Sequence, residues 1–373
     1  MVDFRPFRGL RFTPKAGPIE LLLAPPYDIV PTDQIAGWQQ KSPWNVSRET
    51  LPGSDYEAAA HHLEAALAQG ILSADEPALY VHEVDFDGKT RRDLIGALRL
   101  QPYEDGAVLP HERTHRGPKE DRLALMRATG AALEPLWFVH EAHLPVPPGG
   151  EPALTFEWLG ESHRLWVVLD PGWQAQVTEA FTEQPVLIAD GHHRYETTLA
   201  YSEEVGGAAD AASRFTPALL TSLDDPGLEV LPTHRVLVGG VKVTGGEPAP
   251  SLAETLAAIE GRVAAGHYDG ERFQVLPLDG ELALVELHRQ VIDNILGKRP
   301  AEGNVLYTRD AQEAVDWVDQ GRGNQAFFLP RPDLRQVLTQ ARAGKTLPQK
   351  STYFFPKPPS GLVLHRLDAG API

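Results

Sequence analysis

The sequence has no cysteine, only two methionines, and far fewer basic than acidic residues: 34 Lys and Arg against 51 Asp and Glu, a formal charge of −17. Without cysteine there is no disulfide framework, no thiol nucleophile and no thiolate metal site, and nothing suggests an oxidising compartment. The expected location is the cytoplasm. The deficit of basic residues argues against nucleic-acid and membrane partners, because so negative a surface repels phosphate backbones and acidic headgroups at long range. Long apolar runs are missing too. Met1-Val2-Asp3-Phe4-Arg5-Pro6 has no apolar signal-peptide core, and residues 21–24 are far too few to cross a bilayer.

The 373 residues, 42% hydrophobic and 23% charged, suit a folded protein of about two domains. Residues 19–24 read as a strand broken by Pro25-Pro26. Ser54-Asp55-Tyr56-Glu57 reads as a capping box that starts a helix over 54–67, with Gly70 as its stop. Residues 79–85 and 92–100 alternate around Asp87-Gly88 as a hairpin with one wet face. A helix is expected over 118–129. The apolar run 185–189 suits a strand buried on both faces, followed by a helix over 194–205. A strand over 325–329, a helix over 333–343 and a terminal hairpin from 352–355 and 361–366 complete the reading. The expected fold class is mixed α/β (α+β), with a core over 1–242 and a smaller α/β part over 243–373 whose terminal hairpin packs back on the core.

The segment Asp190-Gly191-His192-His193-Arg194 places three basic side chains at the start of a helix, the end whose dipole favours anions. A bound phosphate removes that conflict, since backbone N–H groups, imidazoles and a guanidinium would meet it together. Gly191 lets the backbone approach closely, while Asp190 either holds magnesium, accepts a hydroxyl proton or simply caps the helix. His111-Glu112-Arg113-Thr114-His115 matches the H-E-x-x-H zinc pattern, with Glu134 as a conceivable third ligand. Pro110 and Gly117-Pro118 leave barely two turns for the helix such a site needs, so a polar loop is the expectation. Lys119 opposes the dipole of the following helix and is either a solvated lysine at an ordinary helix start or a further phosphate contact. Three stiff polar segments stand out more weakly, around Asp28, around Asn45 and Arg48, and around Lys350 and Ser351.

Taken together, Pro25-Pro26-Tyr27-Asp28, Asn45 with Arg48, His111-Glu112 with Thr114, Gly117-Pro118-Lys119 with Arg122, Asp190-Gly191-His192-His193-Arg194-Tyr195-Glu196, Leu231-Pro232-Thr233-His234-Arg235, and Lys350-Ser351-Thr352 with Phe354, Pro356 and Lys357 resemble the signatures of the DUF1015 family, whose function is unknown. Arg122 and His234 become site candidates through that resemblance. The central turn also resembles, more distantly, the phosphate box of the ParB/sulfiredoxin superfamily, which includes free-serine kinases with an Asp-Gly-His-His-Arg sequence. That likeness implies a nucleotide-binding core with ATP or ADP and magnesium. Sulfiredoxin carries its catalytic cysteine where His192 stands, so its reductase chemistry does not transfer. No helix-turn-helix pattern suggests the DNA-binding domain of ParB.

The function expected from these residues is nucleotide-dependent phosphate transfer to a small hydroxylated metabolite such as an amino acid. Gly191, His192, His193, Arg194 and Lys119 would hold phosphate, and Asp190, His111 and Glu112 are the catalytic candidates. A non-catalytic nucleotide or phosphometabolite sensor would share the cradle. A zinc hydrolase would instead use His111, Glu112 and His115.

Overall fold

Asp87 and Gly88 both adopt positive φ, 47° and 73°, the two-residue turn whose twist matches that of paired strands. They join β2 (Leu79–Phe86) to β3 (Lys89–Arg99) in an antiparallel hairpin. The computed structural model describes residues 1–112, 116–297 and 303–373. The hairpin has no wet face along its centre, where Asp93 to Leu98 are all buried. β1 (Phe4–Arg5) and β9 (Phe215–Ser222) flank β3, and Gly96 admits Phe4, whose Cζ would lie 2.3 Å from an added Cβ.

The hairpin sits inside a nine-stranded mixed sheet with β4 (Val108–Leu109), β5 (Leu136–His140), β6 (Leu154–Trp158), β7 (Glu161–Val168) and β8 (Val186–Asp190). The order is β4-β8-β5-β9-β3-β2-β7-β6, and only the pairs β4/β8 and β5/β9 are parallel. Val186, Leu187 and Ile188 have no exposed surface, and burying each such side chain contributes about 1.5–3 kcal/mol. Trp173, Val177 and Phe181 of α3 (Pro171–Phe181) and Tyr195 of α4 (His192–Val205) pack on the same cluster as Phe4, Phe138 and Ile188. α1 (Tyr56–Ala68) and α2 (Arg116–Thr129) share a second cluster through Leu63 and Leu125.

Several expectations are corrected. The cap of α1 is Asp55, which accepts from Ala58 N at 3.0 Å, rather than Ser54. Residues 19–24 do not form a strand: Ile19–Leu21 is a short 3-10 turn, and Asn45 Nδ2 donates to Leu21 O and Leu23 O at 2.8 and 2.9 Å in place of a neighbouring strand. The terminal hairpin does not form, because Tyr353–Phe355 pairs with Glu229–Leu231 and His365–Arg366 with Ala131–Ala132.

The chain divides into two compact units. The first takes the segments up to Leu228 and Pro356–Ile373, while the second takes His111, Glu112 and Glu229–Phe355. Its division falls at 228/229 rather than 242/243 because β10 (His234–Leu237) is hydrogen-bonded into the second unit's sheet. That sheet is wholly antiparallel, in the order β11 (Glu247–Ala249), β13 (Phe273–Pro277), β12 (Ala264–Tyr268), β15 (Gln325–Phe328), β10 and β14 (Val305–Thr308). The helix Leu334–Arg342 begins, as expected, at Asp333, whose side chain accepts from Arg335 N.

Candidate functional site

The buried strand β8 ends at Asp190, and Gly191 turns the chain into α4 with φ 99° and ψ 30°. An L side chain at that φ is strained, and a Cβ there would lie 2.9 Å from Leu136 Cδ2 and 3.1 Å from Arg194 Nη2. Glycine is therefore required by torsion and by space. No side chain caps α4, so the capping role considered for Asp190 is not found. Asp190 instead accepts from Arg194 Nη2 at 2.8 Å and from the Lys357 ammonium.

Arg194 folds back across the turn rather than projecting from it. Its Nη1 donates to Pro135 O at 3.1 Å and lies 3.4 Å from Glu134 Oε2. Glu134 Oε1 accepts from Tyr27 N at 3.1 Å and from the Ser360 hydroxyl. Lys357, Asp190, Arg194, Glu134 and Ser360 thus form one nearly buried chain of alternating charge. Despite burial, which alone would raise it, Asp190 is held far below the usual carboxylate range by Lys357 and Arg194. A carboxylate held ionised between two cations is a weak proton acceptor. The Arg194 guanidinium is likewise held charged against burial by Glu134 and Asp190, with a further contribution from Asp28.

On the first turns of α4, His192 is buried and His193 is half-buried. Glu196 receives the Lys119 ammonium from α2 and the Tyr103 hydroxyl at 3.4 Å. Tyr103 stacks on Tyr195 at 5.5 Å between ring centroids, and Tyr195 Oη donates to Gln101 O at 2.7 Å. Arg122 stacks over Tyr27 at 4.4 Å and donates to Thr50 O at 2.7 Å. It also lines, with Glu134, Arg194 and Thr198, a cavity of about 50 Å3, roughly the room a few waters need. The first unit therefore brings Arg122, Asp190, Gly191 and Arg194 of the expected residues together with Glu134, considered above only as a zinc ligand, and with Lys357, while Lys119 pairs with Glu196 further along α4. Two others are structural. Asn45 Oδ1 also accepts from Ser47 N at 3.0 Å, and Arg48 donates to Gln39 O at 2.7 Å.

His111 and Glu112 belong to the second unit, where they form a clasp with the segment around Lys350. Glu112 Oε1 accepts from Ser351 N at 2.6 Å and Oε2 from Lys350 N at 3.2 Å, holding Lys350 at φ 53°. His111, with no exposed surface, bonds Thr352 Oγ1 at 2.9 Å. Arg235 donates to Lys350 O at 2.9 Å, and His234 Nδ1 accepts from Leu329 N at 3.2 Å. Burial pushes His234 down to about 4. Glu112, Arg235 and His234 thus anchor backbone, and His111 holds a side-chain hydroxyl. His115 lies outside the described residues, and among the described residues no group of three or more His, Asp or Glu is placed to hold a metal ion.

Residues 4–304 match the family described as protein of unknown function, DUF1015. No curated protein matches the sequence. Among solved structures, a free serine kinase variant in complex with AMP shares 15% identity at a TM-score of 0.41, covering 67% of this chain and 84% of that one. A conserved hypothetical protein from Pyrococcus furiosus shares 17% at 0.40, covering 70% and 93%. C-terminally truncated SbnI from Staphylococcus aureus shares 14% at 0.37, covering 70% and 82%.

Proposed function

The chain belongs to the DUF1015 family of proteins of unknown function, and we propose from its site that it is a nucleotide-dependent phosphotransferase acting on a small hydroxylated metabolite such as an amino acid. The observation that carries this reading is that two lysines from distant segments are held against the first two turns of one glycine-led helix and the residue before it. Lys357 reaches Asp190 and Lys119 reaches Glu196, on either side of Gly191 in sequence. The start of a helix attracts anions through its N–H groups and dipole. An ammonium has three donors, so Lys119, resting on Glu196, can still turn a donor to phosphate.

In this reading the first unit is a ParB/sulfiredoxin-like nucleotide-binding core for ATP or ADP. The backbone of Gly191, His192 and His193 receives the phosphates, and Lys119 and Lys357 neutralise charge that develops during transfer. Asp190 is a positioning residue that aims Lys357 and Arg194. Both of its oxygens carry cationic partners, so the residues present do not fit a resident magnesium ion. Magnesium enters as part of the metal–nucleotide substrate. The partners are small molecules, in the cytoplasm, with no nucleic acid or membrane.

One observation favours a second reading, a non-catalytic nucleotide or phosphometabolite sensor: the carboxylate at the turn is already committed as an ion-pair partner and is a poor base. Calorimetric titration of magnesium ADP and ATP separates these from a protein without the site. Wild type is expected to bind, and Lys119→Ala to weaken binding by about tenfold, or about 1.4 kcal/mol. No binding by wild type, or equal binding by both, removes both readings. Transfer of labelled γ-phosphate to a hydroxylated amino acid supports the enzyme, whereas tight binding without labelled product leaves the sensor.

A further inference from the structure

The motif Leu231-Pro232-Thr233-His234-Arg235 lies in the second unit and takes no part in the Asp190 turn. Arg235 of β10 has no exposed surface, yet its guanidinium meets only backbone carbonyls: Nη1 donates to Thr233 O, and Nη2 to Lys350 O at 2.9 Å and Gln349 O at 3.3 Å. Its Nε has no partner. Glu112, whose field reaches it, has its oxygens on Ser351 N and Lys350 N, and among the described residues no carboxylate forms an ion pair with Arg235. Burial pulls the guanidinium down to about 10, so at neutral pH it keeps its charge without a counter-ion. A buried charge left in that state is costly.

Two further polar atoms near it are unanswered. Tyr307 is the register partner of Arg235, its ring centre lies 5.6 Å from the guanidinium carbon, and its buried Oη has no partner. His288 opens a π turn, His288–Ile292, in the helical run 283–296, and its buried Nε2 has no partner. Such turns recur at functional sites. Burial, with the Arg235 charge added, pushes His288 down to about 3, so the ring is neutral at pH 7. Leu237 and Phe327 of the sheet share one cluster with Leu287 and Ile292, and Tyr307 packs against it. Arg235 alternates with Leu237 along β10, so the guanidinium and the phenol face the helical run that carries His288.

A cavity of about 190 Å3 opens beside this layer, small for a drug-sized ligand. Thr233 and Ser351 line it; Thr233 O receives Nη1 of Arg235, and Ser351 follows Lys350, whose carbonyl receives Nη2. Leu284 and Val285, about one turn before His288, form apolar walls with Val337 and Leu347. The charges at the rim are already answered: Arg331 pairs with Glu229 at 3.0 Å, Arg262 donates to Ala258 O, Glu281 accepts from Gln340, and Asp333 caps its helix. The rim therefore selects no charge, whereas Arg235 does.

We propose that this cavity binds a small organic acid with an aliphatic body, whose carboxylate accepts from Arg235 Nε, Tyr307 Oη and His288 Nε2 and whose body rests against Leu284, Val285 and Leu347. A water would satisfy the phenol and leave the charge uncompensated. Inorganic phosphate would neutralise the charge and leave the apolar walls bare, and an amine would add a second cation. The inference is independent of the nucleotide reading.

Calorimetry on the full chain with 4-methylpentanoate, 4-methylpentanamide and inorganic phosphate tests it. The acid is expected to bind one to one with a dissociation constant of roughly 1 mM or tighter. The amide and phosphate should each bind at least about tenfold more weakly. Tyr307→Phe removes a hydroxyl that has no partner in the protein, so it should weaken the acid by about tenfold with Tm not lowered. Val285→Trp fills the cavity and Arg235→Met removes the charge; each should abolish acid binding and leave magnesium ADP binding unchanged. No acid binding by wild type, an amide or phosphate bound as tightly as the acid, or wild-type affinity in any of the three variants overturns the proposal. Should Arg235→Met fail to fold, Tyr307→Phe and Val285→Trp decide.

Discussion

Asp190 and its two cations hold the turn between β8 and α4 in one conformation, and their burial makes each of them hard to remove singly. Lys357 is 9% exposed and Arg194 11%. Breaking a buried ion pair leaves an uncompensated charge, typically at a cost of 3–5 kcal/mol. Asp190 keeps Arg194 as a second partner, so Lys357→Ala is expected to cost less, about 2 kcal/mol in urea unfolding. Lys357→Met, which also removes the charge but keeps the packing stem, should cost less again. Equal stability of all three proteins would show that the pair has no structural role. Gly191→Ala combines a left-handed torsion with a contact of 2.9 Å to Leu136, and should cost at least about 1–2 kcal/mol with loss of nucleotide binding. A fully stable variant that still bound nucleotide would mean the backbone at 191 does not approach a phosphate.

At the scale of elements, the clasp between His111-Glu112 and the segment 347–352 shows why two separate sequence signals had one cause. Glu112 satisfies two backbone N–H groups at once and holds Lys350 at positive φ. Glu112→Ala is expected to lower the unfolding free energy of the second unit by about 2–3 kcal/mol, with Glu112→Gln retaining part of it. An unchanged urea midpoint for Glu112→Ala would contradict the clasp. Local signals were readable: Asp87-Gly88 carries its own turn torsions, Asp333 its own cap, and the apolar run before Asp190 its own burial. Signals divided between distant segments were not. Lys357 lies 167 residues beyond Asp190, and no pattern within a helix or strand connects them. Residues 19–24 read as a strand by their apolar run, but the carbonyls of Leu21 and Leu23 bond Asn45 instead of a neighbouring strand, and the expected terminal hairpin failed because its two halves pair with Glu229–Leu231 and Ala131–Ala132. The basic cluster at α4 and Asp190 beside it were visible, but the pairing of Asp190 and Glu134 with Arg194 was not.

Across the whole molecule, acid sensitivity should come first from histidines. Burial pushes His140, His234 and His365 each down to about 4. Their unfolded values lie near 6.5, so below that pH the unfolded chain takes up protons that the fold refuses. Stability therefore falls as pH drops from about 6.5 towards 4, by about 1.4 kcal/mol per pH unit for each such histidine. Asp93 acts lower down. Against the cost of burial, Arg91 and His82 hold it at about 2, so its contribution is present above about 3.9 and is lost as pH falls towards 2. Urea unfolding from pH 7.5 to 4.5 checks this, and a flat profile over that range would contradict it. The central claim, that the start of α4 receives the phosphates of a nucleotide, is tested most directly by amide hydrogen exchange with and without magnesium ADP. Slowed exchange centred on residues 190–196 is expected. Nucleotide binding that leaves those amides unchanged and protects others would contradict the assignment.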